Sequence, residues 1–181
     1  MDKTKFRSML QGVLVLAVIA LCSGLLLGFF NMITYVDPLQ SAYDRFAEDT
    51  GATFSKMTDP DGEEYENGSV LYYALSDDGK YHAFLASGKG GYGGDVQVYV
   101  YVSDNKITKA VLGENAETLW GTFEENFFDQ FIGIDVTQKT SFLPSDVTTS
   151  STAKLSIQAV SRAIDAVMTY YNQNVGGENN G

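Results

Sequence analysis

Apolar positions fall into three regimes along the chain. Residues 8–36 carry no charge, and their heart, GVLVLAVIALCSGLLLGFFNMI, exceeds the roughly 20 apolar residues that cross a bilayer's hydrocarbon. Lys3, Lys5 and Arg7 precede this run and Asp37 follows it, so the N-terminus is expected to stay in the cytoplasm. Phe29, Phe30 and Tyr35 suit the outer interface. A cleaved signal peptide would have a shorter apolar region and a small-x-small cleavage site, which this run lacks. A lipid anchor on Cys22 would need a small residue where Leu21 stands. The run therefore predicts an uncleaved single-pass anchor in the cell membrane, with the main domain outside.

Beyond it, DPLQSAYDRFAEDTG predicts a short helix with Pro38 in its first turn and Gly51 as its stop. TDPDGEEYENG predicts a solvated acidic loop. The period then becomes two. LYYAL and KYHAFLA flank Asp77-Asp78-Gly79, a hairpin signal. After the glycine cluster GKGGYGG, Val96, Val98, Val100 and Val102 face one way, and Gln97, Tyr99, Tyr101 and Ser103 the other. A turn at SDNK leads into ITKAVLGE, which predicts a meander of about four antiparallel strands.

Helical spacing returns in LWGTFEENFFDQFIG, where Phe123, Phe127 and Phe131 recur every four residues. It returns again over 151–171, where Leu155, Ala159, Ala163 and Val167 form a stripe flanked by Val160, Ile164 and Met168. Ser151 or Thr152 is the expected N-cap. Strands followed by helices predict an α+β domain. The expected organisation is a cytoplasmic N-terminus over 1–8, a transmembrane helix over 9–36, an extracytoplasmic domain over 37–175 and a disordered tail over 176–181.

Charge and residue chemistry narrow the function classes. A net charge of -11 argues against nucleic acid or anionic headgroups as partners, because both need a basic face. One cysteine and one histidine exclude intrachain disulfides, cysteine-ligated clusters and C-x-x-C-H haem attachment. His82 reads as a half-exposed strand residue, and Asp77 and Asp78 as turn formers. Glu124 and Glu125 read as negative charge favoured in a helix's opening turns. GKGGYGG is no phosphate loop, since no Lys-Ser/Thr follows and a strand, not a helix, comes next. Such glycines mark a tight bend, or a place where a ligand or another backbone comes close. Small residues in the apolar run (Gly12, Ser23, Gly24 and Gly28) would allow close approach of a partner helix.

The order of segments carries further. Gly90, Tyr92, Gly94, Asp104, Ile107, Glu117, Thr118, Gln130, Phe131 and Gly133 follow the pattern G-x-G-Y-x-G, alternating strand, D-x-K/G-I, G/E-x-x-E-T-P-G-L-G and Q-F-x-G. With the N-terminal helix, this resembles the FMN-binding domain family of respiratory membrane complexes. Its members include FMN-bearing components of the Rnf electron-transport complex and of the sodium-pumping NADH:quinone reductase. The resemblance implies a flavoprotein subunit of an ion-transporting oxidoreductase complex. Such a subunit relays electrons through FMN among other membrane subunits and is not an enzyme alone. It also implies FMN esterified to a threonine in S/T-G-A-T-x-S/T, at the start of the last helix.

Here that stretch reads Ser151-Thr152-Ala153-Lys154-Leu155-Ser156, with Lys154 where the modified threonine is expected. Glu117-Thr118-Leu119-Trp120-Gly121-Thr122 departs from E-T-P-G-L-G, and Trp120 stands at a glycine position. The cofactor site implied by the resemblance comprises Lys154, Thr152, Ser151, Ser156, Glu117, Thr118, Trp120, Tyr92 and Gly94. Three arrangements stay open. FMN is bound without a covalent bond, with Lys154 as a point charge for its phosphate. Alternatively the register slips and Thr152 carries the flavin, with Thr149, Ser150 and Ser151 as poorer candidates. In the third, the domain has lost flavin and serves as a scaffold, with the indole of Trp120 filling the space.

Overall fold

A computed structural model of the chain describes residues 3–35, 37–55, 57–58, 63–116, 121, 126–139, 141–149 and 153–176. The chain divides into two compact units, Met1–Gln40 and Ser41–Gly181. The first is dominated by helix α1, Lys3–Thr34. At 1.5 Å per residue this 32-residue helix is about 48 Å long, against roughly 30 Å of bilayer hydrocarbon. It begins earlier than the expected residue 9. Its described apolar side chains are exposed, Val13, Leu16 and Leu27 among them at 57%, 67% and 71%. It is therefore long and apolar enough to cross a membrane.

The second unit is α+β. Helix α2, Pro38–Thr50, is the expected short helix; its residues from Ser41 onward belong to this unit. Strands β1 (Met57–Thr58), β2 (Glu63–Glu64), β3 (Gly68–Leu75), β4 (His82–Gly88), β5 (Val96–Ser103) and β6 (Lys106–Leu112) form one antiparallel sheet among the described residues. The four longer strands are the predicted meander, in the order β3-β4-β5-β6. At the β5–β6 turn both Asp104 and Asn105 take positive φ, 51° and 61°, the backbone of a two-residue hairpin whose twist matches its strands. The acidic loop is corrected in part: Glu63 and Glu64 pair with Val70 and Ser69, and β1 pairs with Ala74 and Tyr73.

Both faces of the sheet are covered. Val96, Val98, Val100 and Val102 join Val70, Phe84 and Ile107 in a core shared with helix α3, Lys154–Tyr170. The opposite face sets Tyr101, Leu85, Ala74 and Ala83 against Ala42 and Phe46 of α2. The predicted alternation of β5 is thus observed, with tyrosines packing under a second helix. A bulge between Val70 and Tyr72 places Leu71 and Tyr72 together on the α2 face.

Glycine allows α3 to lie directly on the sheet. Gly68 and Gly88 face each other across β3 and β4. A Cβ on Gly88 would stand 1.7 Å from the Ala159 carbonyl oxygen, and one on Gly68 would stand 2.9 Å from that of Arg162. Of the two roles open to glycines here, Gly88 serves the approach of another backbone.

Two helical expectations are corrected. Within the described part of the phenylalanine-rich stretch, Phe127–Phe131 form a five-residue 3-10 turn and not an α-helix, with Phe127 and Phe131 buried; Phe123, Glu124 and Glu125 lie outside the described residues. The turn ends because Gly133, at φ +83°, donates its N–H to Ile107 O, and Ile107 N–H donates to Ile134 O. Those bonds draw the chain alongside β6. In α3 the N-cap is Ala153, which makes no side-chain capping bond, while Ser151 and Thr152 lie outside the described residues. Leu155 is 48% exposed and falls off the stripe that Ala159, Ala163 and Val167 continue. A π-helical segment, Tyr171–Val175, follows α3 and keeps Tyr171 buried. Residues 177–181, most of the expected tail, lie outside the described residues.

Candidate functional site

The first turns of α3 form one wall of a cleft of about 350 Å³, and the loop over 144–149 forms the other. Lys154, Ile157 and Gln158 line the helix side; Pro144, Ser145, Val147 and Thr149 line the loop side. The loop is held in place by its own chemistry. Pro144 opens a single 3-10 turn, Pro144–Asp146, and Asp146 accepts from Leu143 N at 3.0 Å. The Asp146 carboxylate also meets Lys139 Nζ at 2.7 Å. The hydrogen bond from Lys139 holds its carboxyl below the ordinary range, with the Leu143 N–H adding to the effect. Thr148 N–H donates to Gln130 Oε1 at 2.8 Å, and Phe142 N–H to Asp165 Oδ1 at 2.6 Å, tying both ends of the loop to the domain.

The cleft combines polar and apolar groups. Lys154 brings a cation to a helix N-terminus, where aligned peptide dipoles already favour an anion. Ser145, Thr149 and Gln158 supply hydroxyl and amide groups, and Pro144, Val147 and Ile157 supply an apolar lining. This set of groups suits a small anionic ligand, with its charge at Lys154 and hydrogen-bonding groups beside an apolar patch. The volume lies near the lower end of the roughly 300–1,000 Å³ usual for ligand pockets.

The residues expected at the site are not all brought together. Lys154 lines the cleft, whereas Ser156 is fully buried and is not part of its lining. Tyr92, 66% exposed, and Gly94, at φ +128° with open space around its Cβ position, sit on the β4–β5 loop and do not line the cleft. That loop is fastened to α3 by Arg162 Nη1, which donates to Lys89 O at 2.7 Å. Arg162 stands eight residues beyond Lys154, about 12 Å along the helix. Ser151, Thr152, Glu117, Thr118 and Trp120 lie outside the described residues. Ser145, Val147 and Gln158 were not among the expected residues; the signal for the first two was Pro144, whose fixed φ starts the turn facing the helix, and for Gln158 its place four residues after Lys154 on one helix face.

Two further polar clusters shape the domain. The Asp49 carboxylate, its side chain 7% exposed, accepts from Tyr101 Oη at 2.6 Å, Lys109 Nζ at 2.8 Å and Arg45 Nε at 2.8 Å. Burial pushes the Asp49 carboxyl up, but the hydrogen bonds from Lys109, Tyr101 and Arg45 outweigh it and hold it below the ordinary range. Burial and the Asp49 bond push the Tyr101 hydroxyl far upward. This group pins α2 to the sheet. On the other side, His82 Nδ1 lies 2.9 Å from Tyr73 Oη, and its ring meets Tyr171 edge-on at 5.3 Å. Burial lowers the His82 pKa, so the imidazole stays neutral near pH 7. Half-buried and held by aromatic rings, His82 is the strand residue the sequence implied. No group of three or more His, Cys, Asp or Glu able to hold a metal occurs among the described residues.

Compared with known proteins, the chain matches no family model and no curated protein.

Proposed function

We propose that this protein is a membrane-anchored subunit of an Rnf-type electron-transport complex, holding FMN without a covalent bond on the extracytoplasmic side. The observation that carries the reading is the cleft at the first turn of the last helix, with Lys154 on its wall. That is where the resemblance to the FMN-binding domain family puts the flavin phosphate. Bound FMN supplies one- and two-electron redox chemistry. Lys154 gives the phosphate a counter-charge in place of an ester bond. Ser145, Thr149 and Gln158 would offer hydrogen bonds to the bound cofactor, and Pro144, Val147 and Ile157 would shield it from water. Helix α1 anchors the domain beside partner subunits in the bilayer.

A second reading, a flavin-free scaffold subunit, is favoured by the separation of the β4–β5 glycine loop from the cleft and by the packing role of Gly88. Equilibrium titration of the purified protein with FMN separates the two. Saturable binding that weakens in Lys154→Glu supports the first reading. An absence of binding to the wild-type chain supports the second. A stand-alone surface flavoprotein would bind FMN equally well but purify from membranes without partner subunits.

A further inference from the structure

We draw no further inference here: the strongest candidate, the side-chain cluster in which Tyr73 of β3 and Tyr171 of the π-helical segment hold the half-buried His82 of β4, carries nothing because the direction of its response to acid rests on the titration of that histidine alone.

Discussion

Replacing Gly88 with alanine tests the contact on which the position of the cleft depends. The added methyl would lie 1.7 Å from the Ala159 carbonyl oxygen, about 1.7 Å short of the roughly 3.4 Å at which ordinary contact begins. The obstacle is helix backbone, which cannot swing aside as a side chain can, and the carbonyl carbon of Ala159 lies 2.7 Å away as well. Overpacking usually costs about 1–3 kcal/mol, and a clash with backbone belongs at or above the top of that range. For a chain of this size each kcal/mol lowers Tm by roughly 2–4 °C, so Gly88→Ala should lose about 6–12 °C. The assay is thermal unfolding of the detergent-purified chain, followed by near-ultraviolet circular dichroism to report the tyrosine-rich sheet rather than α1. Gly24→Ala, with open space around it in α1, should leave Tm unchanged or slightly raised. A Gly88→Ala Tm within about 2 °C of wild type would mean that α3 does not ride on β4 at this distance, and the cleft geometry would fall with it.

Lys154→Ala should weaken FMN binding by about 10- to 100-fold, the range expected for loss of one charge-assisted bond, while Lys154→Arg retains most of the affinity; flavin fluorescence quenching reads both. Asp49→Ala should cost about 2–3 kcal/mol in urea unfolding, because Tyr101 and Lys109 lose a charged partner. In the wild type the folded-state pKa of Asp49 is depressed, so its stabilisation is complete above about pH 4 and fades as pH falls through the folded value; Asp49→Ala should flatten that acid limb. His82 is also depressed in the folded state, so the unfolded chain takes up a proton first and stability falls as pH drops below about 6.5. His82→Gln should reduce that slope in melts between pH 7 and 5, and an unchanged slope would assign it to other groups. Removal of residues 1–36 should move the protein from the carbonate-resistant membrane fraction to the soluble one; retention in the membrane would refute α1 as the anchor.

Where local rules act alone, the fold was legible in the sequence. The apolar run of α1, the period of two in β5, and the Asp104-Asn105 turn each declare themselves within a few residues. What escaped depends on contacts distant in sequence. The phenylalanine spacing from 123 to 131 resembles a helix, yet Phe127–Phe131 form a 3-10 turn that ends where residues 133–136 bond alongside β6 and its turn. Glu63 and Glu64 look like loop residues until β3 offers an edge to pair with. The second buried face of the sheet was hidden because Tyr99 and Tyr101 suit either an exposed or a covered surface, and only the packing of Ala42 and Phe46 decides it. At the cleft, Lys154 was singled out only through the motif that the resemblance places at the head of the last helix, whereas Ser145 and Val147 join it only because a loop more than five residues upstream folds back.

The central claim is tested most directly by flavin content, measured two ways on full-length protein produced with a flavin transferase. Visible absorbance of the native protein reports all bound flavin, and ultraviolet fluorescence of the denatured band reports covalent flavin alone. The account predicts yellow native protein whose denatured band is dark, with colour lost in Lys154→Glu. A fluorescent band would put FMN on a hydroxyl such as Thr152 and contradict the role given to Lys154, and colourless native protein would contradict flavin binding altogether.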